Sequence, residues 1–242
     1  MGRIAMDAFA SMIPTRAPTA HRPLLGVTVL VVEDSRYASE AVRLMCLRSG
    51  ARIRRADSLE TARRHLAVYR PTVALIDVGL PDGSGIALIE ALAQATPRIE
   101  VILGISGETT TENEVTHAGA DGFIAKPIDN LAAFQHAILS QLPADRQPPG
   151  PRILHDEVVR PDNVAYQDDL NHIAQVLSED ATQNIDYVTQ FLGGVARSVK
   201  DDDLDKAVRA LIVRKNEGGN LKPGVAALTE LVQTRIAAAG PI

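Results

Sequence analysis

The sequence predicts an α/β fold in which a five-stranded, parallel, doubly wound sheet is followed by an all-α C-terminal domain. Between residues 24 and 142, short apolar segments of strand length alternate with segments of helical periodicity. A proline-rich segment, PADRQPPGP at 143–151, then interrupts the pattern. From residue 166 onwards only helical periodicity is found, which indicates a second domain of a different class.

Three of the five predicted strands are continuous apolar runs, as expected for strands of a parallel sheet covered by helices on both faces. The other two are shorter or more polar and complete an alternation of strand and helix. The predicted strands are 27–33, 51–57, 72–78, 100–106 and 122–126.

Four of the helices between these strands have clear apolar stripes or end signals. The fourth position in the order is weaker, because the segment 108–121 offers only Val115 and Ala118 as apolar contacts. We therefore expect a short and poorly anchored helix there. The other predicted helices are 35–50, 58–69, 85–95 and 129–142.

Composition limits the class of protein. The single cysteine, Cys46, excludes an intrachain disulfide and fits a reducing compartment. No apolar run approaches the roughly 20 residues that span a bilayer, and the N-terminal residues lack the apolar stretch of a signal peptide. We expect a cytoplasmic protein that does not enter the membrane.

Proline positions divide the chain. Residues 1–23 contain three prolines among small residues and are predicted to form a flexible tail. The predicted order is then a first domain at 24–142, a linker at 143–165 and a helical domain at 166–242.

Polar side chains stand at the ends of the predicted apolar strands. Glu33-Asp34 follows the first strand, Asp77 ends the third, Ser106 the fourth and Lys126-Pro127 the fifth. A parallel sheet brings these ends to one edge, where clustered carboxylates require a cation. Carboxylate oxygens suit Mg²⁺, and a lysine and a hydroxyl beside them suit a phosphoryl group carried on an aspartate.

The motifs at these strand ends identify a family. Residues 27–142 resemble the receiver domain of two-component response regulators through VVED, LIDVGLPDGSG, GISG and GADGFIAKPI, in this order and spacing. The resemblance implies a flavodoxin-like fold, phosphorylation by a histidine kinase or a phosphotransfer protein, and Mg²⁺ as cofactor. It implies a phosphoacceptor that catalyses its own phosphoryl transfer and hydrolysis rather than a conventional enzyme.

The resemblance also implies a role for each matching residue. Asp77 is similar to the phosphoacceptor, Asp34 to the direct metal ligand and Glu33 to the acidic neighbour that holds metal-bound water. The backbone carbonyl of Gly79 matches the third protein ligand of the metal, although the family often has a larger side chain at this position. Ser106 matches the switch hydroxyl.

Three further positions complete the comparison with the family. Phe123 occupies the aromatic switch position, and Lys126 matches the lysine that binds the phosphoryl group. The Lys126–Pro127 peptide bond is expected to be cis. Because the fourth helix normally carries the output signal, the polar segment 108–121 leaves the choice of partner open.

The C-terminal region shows four helical patterns without a recognisable output motif. Its net charge of −4 over 151–242 argues against DNA binding, which depends on phosphate neutralisation. A bundle for homodimerisation or partner contact is the favoured interpretation. A DNA-binding regulator and a phosphorelay module using His172 are the alternatives, the latter weakened because no lysine follows that histidine closely. The predicted helices are 166–179, 182–199, 202–215 and 223–238.

Overall fold

The structure is a computed structural model that describes residues 17–150, 157–180 and 183–238. Most of the predicted tail and the middle of the predicted linker lie outside the described residues. A parallel sheet of five strands has the order β2-β1-β3-β4-β5, which confirms the predicted fold class. The strands are β1 (Thr28–Val32), β2 (Arg52–Ala56), β3 (Val73–Asp77), β4 (Val101–Ser106) and β5 (Gly122–Ala125).

Both faces of the sheet are buried, which is why its central strands are continuous apolar runs. In β1, Val29 and Val31 point into one apolar cluster, and Leu30 and Val32 point into the cluster on the opposite face. Helices α1 and α5 cover the first face and helices α2, α3 and α4 cover the second. The bounds are α1 (Arg36–Ser49), α2 (Leu59–Val68), α3 (Gly85–Gln94), α4 (Glu112–His117) and α5 (Leu131–Leu139).

The ends of these helices follow from local sequence. The Ser35 hydroxyl accepts a hydrogen bond from the Ala38 amide and caps α1, and Gly50 ends the helix with a φ of 84° that favours glycine. Ser58 and Thr61 form a capping box at the start of α2. A short antiparallel hairpin, Gly79–Leu80 with Gly83–Ser84, connects β3 to α3.

Helix α4 is as short as the sequence indicates. A single 3-10 turn at Thr109–Thr111 precedes its six residues. Val115 is its one buried residue, and its methyl groups occupy the space that a side chain at Gly104 of β4 would need. The helix is therefore attached to the sheet mainly through one valine.

Four helices form the C-terminal domain and confirm its predicted all-α class. Their apolar faces meet in a core that is separate from the two clusters of the sheet domain. Core residues recur at helical spacing, for example Leu170, Ile173 and Leu177 on one helix and Val188, Leu192 and Val195 on the next. The helices are α6 (Asn163–Asp180), α7 (Ile185–Val199), α8 (Asp202–Asn216) and α9 (Lys222–Ala238).

The two domains are in contact. Helices α6 and α7 lie against α1, and the rings of Tyr37 and Tyr166 meet edge to face at 6.5 Å. The chain leading to α6 also packs on the sheet domain: the Val159 amide donates to the Asp129 carbonyl at 2.7 Å, and the Val159 side chain is buried in the core. No helix in the described part of the chain is long and apolar enough to cross a membrane.

Candidate functional site

Three carboxylates meet at the carboxyl edge of the sheet. Glu33 and Asp34 directly follow β1, and Asp77 is the last residue of the neighbouring strand β3. One oxygen atom from each lies within 4.8 Å of the others. Asp77 is only 5% exposed, so the negative charges are held together with little help from solvent.

Lys126 supplies the positive charge. It follows β5, and its ammonium lies 2.9 Å from Asp77 Oδ2 and 2.8 Å from Glu33 Oε2. Burial alone would lower the pKa of this lysine, but the carboxylates of Asp77 and Glu33 raise it above its ordinary value. The Lys126 ammonium therefore stays protonated between carboxylates at the ends of the first and third strands.

Of the remaining predicted site residues, Ser106 and Gly79 line one cavity with the carboxylates and Lys126, and Phe123 does not. Ser106 ends β4, is buried, and accepts a hydrogen bond from the Glu108 amide at 3.0 Å. Gly79 lies in the hairpin that follows Asp77 and lines the cavity that Asp77 and Lys126 also line. Phe123 is partly buried against the cluster that contains Val115. The Lys126–Pro127 peptide bond is cis.

Carboxyl groups outnumber cationic side chains in this cluster of described residues. One lysine faces three carboxyl groups, and burial followed by the nearby Asp77 raises the pKa of Asp34 to about 7. Burial likewise raises the pKa of Glu33 well above its ordinary value. An all-oxygen set with a shortage of positive charge fits a hard divalent cation such as Mg²⁺.

The helical domain adds a tyrosine to this site. The Tyr187 hydroxyl of α7 donates to Asp34 Oδ2 at 2.9 Å. Burial, and next the charge of Asp34, raise the pKa of Tyr187, so the hydroxyl stays protonated and able to donate. His172 Nε2 lies 2.9 Å from the same hydroxyl and donates to it, because the single tyrosine proton is directed at Asp34.

Asp169 of α6 attaches the helical domain beside the site. Its carboxylate accepts hydrogen bonds from the Ser35 hydroxyl at 2.7 Å and from the amides of Arg36 and Tyr37 at 2.6 and 3.1 Å. These groups form the N-terminus of α1, where a negative charge is favourable. Burial nevertheless raises the pKa of Asp169 to about 6, since the side chain is 1% exposed.

Two more side chains of α7 contact the loops of the site. Gln190 occupies the space in which a side chain at Gly79 would stand, and Arg197 does the same at Gly107. Arg197 also pairs with Asp205 at 3.2 Å. Sequence reasoning identified neither these residues nor Asp169 and Tyr187, and the only signal was Gly79, where the family often has a larger residue.

Comparison with known proteins identifies the sheet domain. Residues 29–138 match the family model of the response regulator receiver domain. This part of the chain is therefore a receiver domain of the kind found in two-component signal transduction, and the predicted family is confirmed.

Two curated relatives cover the same part of the chain. The KDP operon transcriptional regulatory protein KdpE of Escherichia coli is 31% identical over 99 residues, which is 41% of this chain and 44% of that protein. The virulence transcriptional regulatory protein PhoP of Salmonella typhimurium is 29% identical over 114 residues, 46% of this chain and 51% of that protein. The chain thus spans about half the length of these relatives.

Solved structures also match about half of the chain. A two-component response regulator from Clostridium difficile covers 48% of this chain and 94% of its own, with a TM-score of 0.44 and 17% identity. A CheY-like receiver domain protein from Methanospirillum hungatei covers 48% and 92%, with a TM-score of 0.43 and 21% identity.

Proposed function

We propose that this chain is a response regulator that accepts a phosphoryl group on Asp77 from a histidine kinase or a phosphotransfer protein. Its output passes through the helical domain by protein–protein interaction or homodimerisation. The observation that supports this most directly is the Asp77 carboxylate at the end of β3, within 2.9 Å of the Lys126 ammonium and grouped with two further carboxylates. The proposed units are a tail at 1–23, the receiver domain at 24–142, a linker at 143–165 and the helical domain at 166–242.

The proposed metal site consists of oxygen atoms only. Asp34, Asp77 and the Gly79 carbonyl would hold Mg²⁺ directly, and Glu33 would hold metal-bound water. When bound, the cation neutralises charge on the transferred phosphoryl group. The excess of carboxylates over lysine at this edge of the sheet supports the assignment.

In the proposed transfer, an oxygen of Asp77 attacks phosphorus in line with the donor's phosphorus–nitrogen bond, which breaks as the new phosphorus–oxygen bond forms. Lys126 neutralises an oxygen of the arriving group, and the Ser106 hydroxyl donates to another after leaving the Glu108 amide. Phe123 moves inward as Ser106 shifts. Water later hydrolyses the acyl phosphate and restores the carboxylate.

The Asp77→Asn variant tests this role. It removes the nucleophilic oxygen, so we expect no phosphorylation by acetyl phosphate with Mg²⁺, measured on the full chain by phosphate-affinity electrophoresis. Asp57→Asn is the matched control, because Asp57 follows the edge strand β2 of the same sheet and is exposed. Phosphorylation of Asp77→Asn at the rate of the unaltered chain would contradict the proposal.

DNA binding is a second candidate output, because KdpE and PhoP are named transcriptional regulators. The net charge of −4 over 151–242 weighs against it. Binding of the full chain to DNA that weakens steeply with salt would support this output, and no binding at low salt would remove it.

A phosphorelay is the third candidate, supported by His172 lying two hydrogen bonds from Asp34 through Tyr187. Under this hypothesis, phosphoryl passes between Asp77 and His172. Unchanged phosphoryl transfer in His172→Gln would exclude it.

A further inference from the structure

Helix α7 lies across the opening of the phosphoacceptor pocket. Phe191, Gly194 and Val195 of this helix line the same cavity as Asp77 and Lys126. The cavity has a volume of about 20 Å³, which is room for about one water molecule. A phosphoryl group together with a hydrated cation is larger, so the pocket cannot hold both while α7 is in this position.

The receiver surface is shaped to accept this helix. A side chain at Gly79 would overlap the Gln190 amide, and a side chain at Gly107 would overlap the Arg197 guanidinium. These glycines lie in the two loops that follow β3 and β4, on either side of the pocket. Two glycines therefore make room for two side chains that come from one helix.

Tyr187 acts on a proposed metal ligand itself. Its hydroxyl proton is directed at Asp34 Oδ2, so that oxygen is engaged while the helix is docked. A cation bound to Asp34 withdraws electron density from this oxygen and weakens the hydrogen bond from Tyr187, and the hydrogen bond weakens cation binding in turn. Docking of α7 and metal binding at Asp34 are thus mutually unfavourable.

We propose that helix α7 is an intramolecular competitor of Mg²⁺ and of the phosphodonor for the Asp77 pocket, with Tyr187 as the residue that withholds Asp34. This inference rests on the proposed function of Asp77. Because coupling between two binding equilibria is reciprocal, Mg²⁺ and phosphorylation in turn displace α7 and free the face of the helical domain that covers the pocket. The segment that occupies the pocket is therefore also the segment that reports its phosphorylation.

Tyr187→Phe removes the hydroxyl and keeps the ring. We expect Mg²⁺ to bind this variant about three- to tenfold more tightly, the range that corresponds to one net intramolecular hydrogen bond. The measurement is a Mg²⁺ titration of the full chain followed by backbone amide shifts in NMR. Tyr166→Phe is the matched control, since its hydroxyl lies near Asp201 of the helical domain and not near the pocket.

Equal or weaker Mg²⁺ binding by Tyr187→Phe would overturn the competition. A second measurement is hydrogen exchange in residues 185–199, which we expect to speed up when Mg²⁺ and beryllofluoride are added to the unaltered chain. Unchanged exchange in this helix, with amide shifts that show beryllofluoride bound at Asp77, would also overturn it.

Gln190→Ala separates competition from a catalytic role of the helix. Under competition, this variant is phosphorylated faster by acetyl phosphate because α7 covers Gly79 less well. An unchanged phosphorylation rate with slower loss of phosphate would overturn the proposal and assign Gln190 to hydrolysis. If no variant that retains Asp77 is phosphorylated, the proposed function fails, which is distinct from failure of the competition.

Discussion

Lys126 illustrates how single residues determine the electrostatics of this site. Its ammonium is the nearest positive charge to Glu33 and Asp77, and its side chain is 7% exposed. Removing one partner of a buried ion pair strongly destabilises the fold, because the other charge stays desolvated and unpaired. The stability of the receiver domain should therefore depend on this lysine more than on any exposed ion pair.

We expect Lys126→Met to lower the free energy of unfolding by about 3–5 kcal/mol, the usual loss when a buried ion pair is broken. Mg²⁺ should restore part of this loss, because it replaces the missing positive charge among the carboxylates. Urea unfolding with and without Mg²⁺ measures both effects. Lys206→Met, at a side chain that is 75% exposed, serves as control. A loss that is the same with and without Mg²⁺ would show that the carboxylates are not its cause.

The placement of most site residues could be predicted because each ends a strand of the parallel sheet or stands within two positions of its end. Asp77 and Ser106 end strands that pair in parallel, so their meeting follows from the order of the sheet. Tyr187 and Asp169 could not be predicted in the same way. Their contacts with Asp34 and Ser35 bridge more than 130 positions of sequence, and no local periodicity encodes such a docking.

At the scale of elements, helical periodicity was sufficient for the C-terminal domain. Apolar residues at helical spacing from all four helices meet in its core. Helical periodicity does not predict which polar face of a helix contacts the other domain. Helices α6 and α7 direct polar residues such as Asp169 and Tyr187 toward the receiver domain, and only the interdomain contacts reveal this orientation.

The junction of α7, α8 and α9 gives a test at this scale. Asp201 caps α8 by accepting from the Leu204 amide, and it also accepts from Arg235 of α9 at 2.7 and 3.1 Å. The hydrogen bonds from Arg235 lower the pKa of Asp201 below its ordinary value. An aspartate with a lowered pKa stabilises the fold above the unfolded pKa, and this stabilisation is lost as the pH falls through the folded pKa.

We expect Asp201→Asn to lower the free energy of unfolding by about 1–2 kcal/mol at pH 7, because asparagine keeps the cap and loses the charged pair. The difference from the unaltered chain should shrink below about pH 4, where the carboxyl becomes protonated in the unfolded chain. Urea unfolding between pH 7 and pH 3 measures it. Asp202→Asn, at the exposed residue that follows the cap, is the control. A difference that is constant over this pH range would contradict the assignment to charge.

At the scale of the whole molecule, the two domains are held together next to the site rather than far from it. Asp169 accepts three hydrogen bonds at the start of α1, and Tyr187 accounts for the contact with Asp34. The proposed phosphorylation site and the domain contacts thus share one surface of the receiver domain. A change at the site is expected to alter domain docking, and a change in docking is expected to alter the site.

Asp169→Ala should therefore loosen the contact between the two domains. We expect faster hydrogen exchange in residues 185–199 and a larger radius of gyration in solution scattering, because three hydrogen bonds to the N-terminus of α1 are lost. Asp168→Ala is the neighbouring control, because Asp168 is exposed whereas Asp169 is buried. An unchanged radius and unchanged exchange would show that Asp169 does not hold the domains together.

The attachment of Val159 to the receiver core sets how far the helical domain can travel. Helix α6 begins only four positions later, at Asn163, so this connection reaches at most about 14 Å when fully extended. A domain on so short a tether stays near its binding surface at an effective concentration in the millimolar range. Under the proposed competition, a phosphodonor that approaches Asp77 thus competes with a helix that is covalently attached to the receiver domain. The time for which the pocket stays open is then set by the pivoting of this short tether, and not by the abundance of the protein in the cell.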